Sequence, residues 1–286
     1  ARATISERPE PVPEAVQSRL RHCLAELLTV SGGELTNYGL IDVDLGEILN
    51  CRPSGRVEQF ADDESLPSIR ATVRGPRWAL ASGFYDWQIG MAIATAAAAN
   101  RKGPVSLLIT LPSAFSMEEV RTVRAMFDRH LAEYPEARSS VQFGVMLETP
   151  RLCAAPSMLA ASAEAFCFGL NDLTSAVFGL ARDAWSGMGP YYAATGLLAE
   201  DPFATLDLIG VGALVGRTIR ELREAGAEGP ILLCGEPAAS EQSHRRFTGA
   251  RSLYFSVGET DWARATLSCA RERARLNGSV RFERSP

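Results

Sequence analysis

The alternation of short apolar segments with amphipathic ones is the feature that most constrains the fold of this chain. The run "VSLLITLP" (105–112) lacks a strict apolar–polar alternation, which is typical of a parallel strand buried on both faces. The next segment, "SMEEVRTVRAMFDRHLAEY" (116–134), has helical periodicity, and Ser116 and Glu119 have the spacing of a capping box. Since a strand followed by a return helix is the repeating unit of α/β folds, we predict that class.

Further strands and helices follow the same pattern along the chain. The predicted strands are "VQFGVML" (141–147), "EAFCFGL" (164–170), "GPILLC" (229–234) and "SLYFSV" (252–257), with weaker ones at "RATI" (2–5), "NYGLIDV" (37–43) and "SIRATV" (68–73). The further helices are predicted at 13–28, 201–226 and 261–276. About eight βα units result, so we predict one (β/α)8 TIM barrel over residues 1–286, with a doubly wound open sheet as the alternative.

The first helix has a predicted inward face. Val16, Leu20, Leu24 and Leu27 recur at helical spacing, after Pro13 at a position that tolerates proline. We therefore expect these four side chains to pack against the rest of the domain.

Composition and charge exclude several classes of partner. The net charge is -5, and the densest basic cluster is only "HRRF" (244–247), which argues against nucleic-acid binding. The longest apolar stretch, "IGMAIATAAAA" (89–99), is too short to span a membrane, and the N-terminus lacks the pattern of a secretory signal. The six cysteines form no CxxC pair, so we expect free thiols in a cytoplasmic protein.

Lysine chemistry is also excluded. Lys102 is the only lysine, and it lies in a turn that leads into a predicted strand. In a barrel this turn lies at the N-terminal rim, whereas active sites form at the opposite rim. We therefore do not expect a Schiff-base mechanism.

Polar and ionisable residues follow the ends of the predicted strands. They are Glu148, Asn171, Asp172, Cys234 and Glu236. Because the carboxyl ends of barrel strands form one rim, these side chains are expected to converge on a ligand. Two carboxylates at neighbouring strand ends suit Mg²⁺, which prefers oxygen ligands, so Glu148 and Asp172 are candidate metal ligands. Arg182 is a candidate partner for a substrate carboxylate or phosphate.

Each of these residues also has a structural interpretation. Glu148 is consistent with a helix cap or a solvent-exposed acid, and Asn171 or Asp172 with the N-cap of a following helix. Cys234 is consistent with a small buried apolar residue. Arg182 is consistent with a solvated pair with Asp183.

Three motifs together resemble a known family. "GVMLETP" (144–150), "FCFGLNDLTSAVFGLARD" (166–183) and "ILLCGEPA" (231–238), in this order and spacing, are similar to the C-terminal barrel of the phosphoenolpyruvate-utilising enzymes. That family includes pyruvate, water dikinase, pyruvate phosphate dikinase and enzyme I of the sugar phosphotransferase system. The resemblance covers most of residues 65–275 and includes "LPSIRATVRG" (66–75), which is similar to the family's Asn-Pro…Gly-x-Arg-Gly segment.

The resemblance implies roles for the candidate residues. It implies a barrel of the phosphoenolpyruvate/pyruvate type, and Mg²⁺, with Mn²⁺ as the alternative cation, held by Glu148 and Asp172. It further implies that phosphoenolpyruvate is bound by three residues, Arg74, Asn171 and Arg182.

The thiol of Cys234 would add or remove a proton at C3 of the substrate. Thiol and enolate chemistry agree with this role. Glu236 would orient the thiol or a nearby arginine.

Departures from the family pattern affect the expected reaction. The family's second strand carries an arginine that holds the phosphate, but the matching region "YGLIDVDLGE" (38–47) contains no arginine. The phosphohistidine and ATP-grasp domains have no counterpart in the sequence, so we do not expect a complete dikinase.

Three functions fit these observations. The first is a phosphoenolpyruvate/pyruvate barrel that exchanges a phosphoryl group with a phosphohistidine on a separate protein. The second is a metal-dependent lyase or aldolase that acts on a 2-oxo acid, and the third is a non-catalytic regulatory relative. The resemblance also implies a homodimer, for which the alanine-rich helix "IGMAIATAAAAN" (89–100) offers close packing, although it is equally suited to packing within its own barrel.

Overall fold

The computed structural model describes residues 13–43, 74–198 and 200–277. The predicted strands "RATI" and "SIRATV" and the cysteine at position 51 lie outside these residues. The chain divides into two compact units, Ala1–Val145 and Met146–Pro286. A single barrel over residues 1–286 therefore stays a prediction.

The first unit contains parallel strands that alternate with helices. β1 pairs with β2 from Leu35↔Ser106, and β2 pairs with β3 from Leu107↔Val141. The elements in chain order are α1 (Glu14–Val30), β1 (Leu35–Gly39), α2 (Pro76–Ala79), α3 (Phe84–Asn100), β2 (Ser106–Leu111), α4 (Met117–Glu133), a 3-10 turn (Pro135–Ala137) and β3 (Val141–Met146), whose last residue belongs to the second unit.

The second unit repeats this pattern. β4 pairs with β5 and β5 pairs with β6, and both pairs are parallel. The helices and strands are α5 (Pro150–Cys153), β4 (Ala165–Gly169), α6 (Leu170–Phe178), α7 (Arg182–Thr195), α8 (Val211–Glu224), β5 (Ile231–Cys234), α9 (Glu241–Phe247), β6 (Leu253–Ser256) and α10 (Trp262–Leu276), with 3-10 turns at Pro156–Met158, Glu236–Ala239 and Glu259–Asp261.

Parallel pairing and strand–helix alternation confirm the predicted α/β class of the TIM-barrel type, of which six strands are described. Burial explains the continuous apolar runs. In β2, Leu107, Leu108 and Ile109 have no exposed surface. In β4, Phe166 and Phe168 are at most 1% exposed. In such folds helices cover both faces of the sheet, so the strands need no polar face. Within the described ranges no helix has both the length and the apolar character needed to cross a membrane.

The predicted start of α4 is confirmed. Ser116 is the N-cap, its hydroxyl accepts a hydrogen bond from the backbone N–H of Glu119, and the Glu119 carboxylate accepts one from the backbone N–H of Ser116. This reciprocal pair satisfies backbone donors that the helix itself leaves unpaired. Of the apolar residues at helical spacing in α4, Val120, Val123 and Phe127 are buried, whereas Leu131 is only partly buried.

The predicted face of α1 is wrong. Leu24 is buried as expected, but the other inward residue is Leu28, while Val16 and Leu27 are 46% and 58% exposed. Leu20 is also exposed, at 37%. The reason is that the helix packs against α3 through a face centred on Leu24 and Leu28, so the stripe that contains Val16 and Leu27 lies to one side of the contact.

Two helices in the second unit also differ from expectation. The helix predicted at 201–226 begins only at Val211, because the Asp207 carboxylate accepts hydrogen bonds from the backbone N–H groups of Gly210 and Val211 and so fixes a turn there. Helix α7 was not predicted, because Pro190 and glycines interrupt its sequence pattern.

Candidate functional site

Two carboxylates lie close together at the strand ends of the second unit. Glu148 follows β3 and is 4% exposed, whereas Asp172 lies in the first turn of α6 and is partly exposed. The nearest oxygens of the two side chains are within 4.8 Å of each other. Glu148 is therefore neither a solvent-exposed acid nor the cap of α5, whose N-cap is Thr149.

The glycine at the end of β4 makes room for the Glu148 side chain. A Cβ atom at Gly169 would lie 2.3 Å from Oε2 of Glu148 and 2.9 Å from its Cβ atom. Real side-chain atoms do not approach this closely, so only glycine permits the carboxylate to lie against the strand end. The family-like "FGLND" sequence thus has a steric role at this site.

A second group of polar side chains lies beside the carboxylates. The Asn171 amide donates a hydrogen bond to Oε2 of Glu236, and the Arg182 guanidinium donates to Oε1 and forms an ion pair with the same carboxylate. Asn171 and Asp172 are both inside α6, whose N-cap is Gly169, so the interpretation of either as the N-cap is wrong. Arg182 is the first residue of α7, and its side chain is half-exposed.

The surroundings of Glu236 favour its charged form. Burial acts to raise its pKa, but hydrogen bonds from its own backbone N–H, from Asn171 and from Arg182, together with the positive charge of Arg182, hold that pKa below its usual value. Glu236 is therefore an anion near neutral pH, and it holds Arg182 in a fixed direction. An exposed ion pair of this kind adds little to stability, so its main effect is orientation.

Cys234 lies level with the last residue of β4 in the sheet. Cys234 is the last residue of β5, and its Cα atom pairs with those of Gly169 in β4 and Ser256 in β6. The side chain is partly exposed, so it is not a fully buried apolar residue. The five cysteines in the described ranges are all free thiols.

Arg74 belongs to the first unit, where it was predicted as a substrate ligand. Its guanidinium pairs with the Asp42 carboxylate at 2.8 Å. The next residue, Gly75, has φ 56°, and a Cβ atom there would lie 3.0 Å from Oδ1 of Asp42. Asp42 was not predicted as a site residue, and the only available signal was its position inside the weakly predicted strand "NYGLIDV".

The carboxylate pair fits a hard divalent cation. Glu148 and Asp172 offer oxygen ligands within 4.8 Å of each other, and oxygen is the ligand that hard divalent cations prefer. Mg²⁺ is commonly held by one or two protein carboxylates with water and substrate in the other positions.

These observations define an α/β protein of the TIM-barrel type in which carboxylates, an arginine and a thiol are grouped at the strand ends of the second unit. Residues 72–274 match the family model described as the PEP-binding domain of PEP-utilising enzymes. The chain belongs to this family of phosphoenolpyruvate-utilising enzymes.

Relatives in the family are much longer than this chain. A pyruvate, phosphate dikinase of Giardia intestinalis is 33% identical over 199 residues, which cover 67% of this chain and 22% of the relative. Pyruvate, phosphate dikinase 2 of Oryza sativa subsp. japonica is 35% identical over 139 residues, or 49% of this chain and 16% of the relative. Among solved structures, a malate synthase of Haloferax volcanii has a TM-score of 0.49 and 11% identity, and the match covers 96% of this chain and 65% of the other.

Proposed function

We propose that this chain binds phosphoenolpyruvate, pyruvate or a related 2-oxo acid at the strand ends of its second unit, together with Mg²⁺ or Mn²⁺, and acts through the enolate. One observation supports the proposal most directly. The buried Glu148 carboxylate lies beside Asp172 and against Gly169, whose Cα atom pairs with that of Cys234. A candidate metal ligand and a candidate proton carrier thus lie on the two sides of one strand end.

Cation binding, anion binding and proton transfer are assigned to different residues. A cation held by Glu148 and Asp172 would supply positive charge where the substrate becomes an enolate. Arg182, oriented by Glu236, would pair with a substrate carboxylate or phosphate, and Asn171 would add a polar contact. Cys234 would hold or remove the proton at C3 of the substrate.

Arg74 is proposed as a further substrate ligand on the basis of the resemblance. Its pairing with Asp42 fixes the direction of the guanidinium, whose planar fork of N–H groups suits carboxylates and phosphates. An Arg74→Lys variant would keep the charge but lose the forked geometry, so substrate affinity should fall if the arginine binds the substrate directly.

Phosphoryl transfer would need a phosphohistidine from outside the described residues. We propose that a separate protein, or a further part of a longer chain, supplies it, and that the reaction takes place in the cytoplasm. A homodimer is part of the same proposal.

A metal-dependent lyase or aldolase is the second candidate. It is favoured by the absence of arginine from "YGLIDVDLGE", since carbon–carbon bond chemistry at an enolate does not need a phosphate ligand. Asp42 belongs to this segment, and its carboxylate pairs with the guanidinium of Arg74. A non-catalytic relative would keep the binding and lose the reaction.

Calorimetry separates the candidate ligands. Phosphoenolpyruvate, pyruvate and oxaloacetate would be titrated into the protein with and without Mg²⁺. We expect binding of at least one of them that requires the cation. The absence of binding for all three in both conditions would contradict the proposal.

Proton exchange tests the reaction itself. In deuterated water with Mg²⁺, the methyl protons of pyruvate should exchange in the presence of the wild-type protein. The Cys234→Ser variant should lose most of this exchange, because a serine hydroxyl, unlike a thiol, does not ionise near neutral pH and so cannot serve as the base. Cys269→Ser, in α10, is the matched control and should exchange normally. Binding with no exchange in the wild-type protein would favour the regulatory relative.

A further inference from the structure

The sulfur of Cys234 lies between two neighbouring strands that both carry hydrogen-bonding side chains. Ser256 in β6 is paired directly with Cys234. On the other side the paired residue is Gly169, and Cys167 lies two residues before it in β4. Since side chains alternate along a strand, Cys167 and Gly169 lie on one face of the sheet, and Cys234, which pairs with Gly169, lies on the same face.

Two neighbouring side chains lie near the thiol of Cys234. Ser256 is paired with it in the next strand, and Cys167 is its diagonal neighbour on the other side, two residues before the paired Gly169. The thiol of Cys167 and the hydroxyl of Ser256 both form hydrogen bonds with the Cys234 side chain. Cys167 has no exposed surface, so its orientation is fixed by packing, whereas Ser256 is exposed at the strand end.

We propose that Cys167 and Ser256 are positioning residues that hold the sulfur of Cys234 between two hydrogen-bond donors. The proposal rests on the proposed function, in which Cys234 exchanges a proton with C3 of the substrate. Two donors on opposite sides fix the direction of the sulfur, and they stabilise the thiolate, which is the form that removes a proton.

The electrostatics of the site agree with this geometry. The hydrogen bond from Cys167 is the main cause that holds the pKa of Cys234 below its usual value, burial acts against it, and the hydrogen bond from Ser256 adds to it. The other ionisable side chains on the elements packed most closely against β5 are Asp172 in α6, Glu236 in the following 3-10 turn and Tyr254 in β6.

Cys153 shows what burial does when it dominates. Burial raises the pKa of the Cys153 thiol to about 12, although a hydrogen bond with Thr218 acts in the opposite direction. Cys153 should therefore stay protonated and unreactive at neutral pH. At Cys234 burial also acts to raise the pKa, but the hydrogen bonds with Cys167 and Ser256 outweigh it.

Alkylation by iodoacetamide tests the proposal without any substrate. The rate at each cysteine would be followed by mass spectrometry of the peptides between about pH 5 and pH 10, the range that brackets an ordinary thiol. The variants are Cys167→Ala, Cys167→Ser and Ser256→Ala. Exposed Cys23 is the internal control, and its rate profile should be the same in all four proteins.

The expected signature is a pair of crossing curves. Without the Cys167 donor, the inflection at Cys234 should move up by about one pH unit, so alkylation slows several-fold below neutral pH. At alkaline pH it should become faster than in the wild type, because a thiolate of higher pKa is the better nucleophile. A simple change in access would alter the rate in one direction at every pH.

Rescue and independence complete the test. Cys167→Ser keeps a donor and should restore much of the wild-type profile, and Ser256→Ala should shift the inflection in the same direction by a smaller amount. An unchanged inflection in both Cys167→Ala and Ser256→Ala would overturn the proposal. A shifted inflection with no proton exchange in the wild-type protein would keep the positioning role and reject the proposed reaction.

Discussion

Gly169 determines where the Glu148 carboxylate lies, and this makes a sharp prediction at the scale of one residue. In Gly169→Ala the new methyl group would meet the buried side chain of Glu148 at 2.3 Å. We expect a loss of about 1–3 kcal/mol in the free energy of unfolding, typical of overpacking, and the loss of cation-dependent ligand binding. Urea denaturation and calorimetry would measure the two effects.

Gly187→Ala is the control for this change. Gly187 is an exposed residue within α7, and a Cβ atom there would meet nothing within 4 Å among the described residues. Alanine is the better helix former by about 1 kcal/mol, so this variant should be equally or more stable and should bind normally. Normal binding by Gly169→Ala would show that the position of Glu148 does not matter.

The two carboxylates make a second prediction. Asp172→Ala and Glu148→Ala should both abolish the cation-dependent part of ligand binding, because each removes one oxygen ligand. Calorimetry with and without Mg²⁺ measures this, and circular dichroism checks the fold. Glu228→Ala removes an exposed carboxylate that pairs with Arg251 and should change neither property. Unchanged affinity in both site variants would refute the metal assignment.

Residue-scale features differ in how far the sequence reveals them. The grouping of Glu148 with Asp172 follows from parallel strand ends meeting at one edge, and the sequence predicts it. The pairing of Glu236 with Arg182 fits the prediction that Glu236 orients a nearby arginine. The hydrogen bond between Cys167 and Cys234 could not be predicted, because a buried strand has the same apolar pattern whether or not one of its side chains contacts a functional group.

Helix α3 makes a prediction at the scale of an element. Its alanine-rich sequence is compatible with either a dimer interface or internal packing, and Ala92, Ile93 and Ala96 have no exposed surface within the first unit. Ala96→Leu should therefore lower the free energy of unfolding by about 1–3 kcal/mol through overpacking. Ala98 is exposed on the same helix, so Ala98→Leu should be nearly neutral. Equal effects in thermal denaturation would contradict internal packing of α3.

Strands were easier to predict than helices in this chain. β2 to β6 are each within two residues of the predicted segments, because uninterrupted apolar runs bounded by turns have few other interpretations. The exposed stripe on α1 shows the limit for helices. Helical periodicity identifies an apolar stripe, but α1 has two adjacent stripes, and only tertiary contacts decide that Leu24 and Leu28 face inward.

At the scale of the whole molecule, the sequence predicts the family better than the boundaries of the barrel. Three motifs at fixed spacing were enough to indicate the phosphoenolpyruvate-binding domain, because each carries several chemically specific residues. The count of eight strands depended on weaker segments. Two of these, at 2–5 and 68–73, lie outside the described residues, and short apolar segments of this kind are weak evidence for strands.

The last prediction is that the protein forms a homodimer. It is based on the resemblance to domains that pair through their barrels. Since the apolar residues of α3 are buried within the first unit, that helix gives the prediction no support. Light scattering at tens of micromolar protein should give twice the 30.9 kDa mass of one chain. Ala98→Leu adds a bulky side chain on the exposed side of α3. If the interface lies elsewhere, this variant should have the same mass in solution as the wild type. A mass of one chain at these concentrations would contradict the dimer.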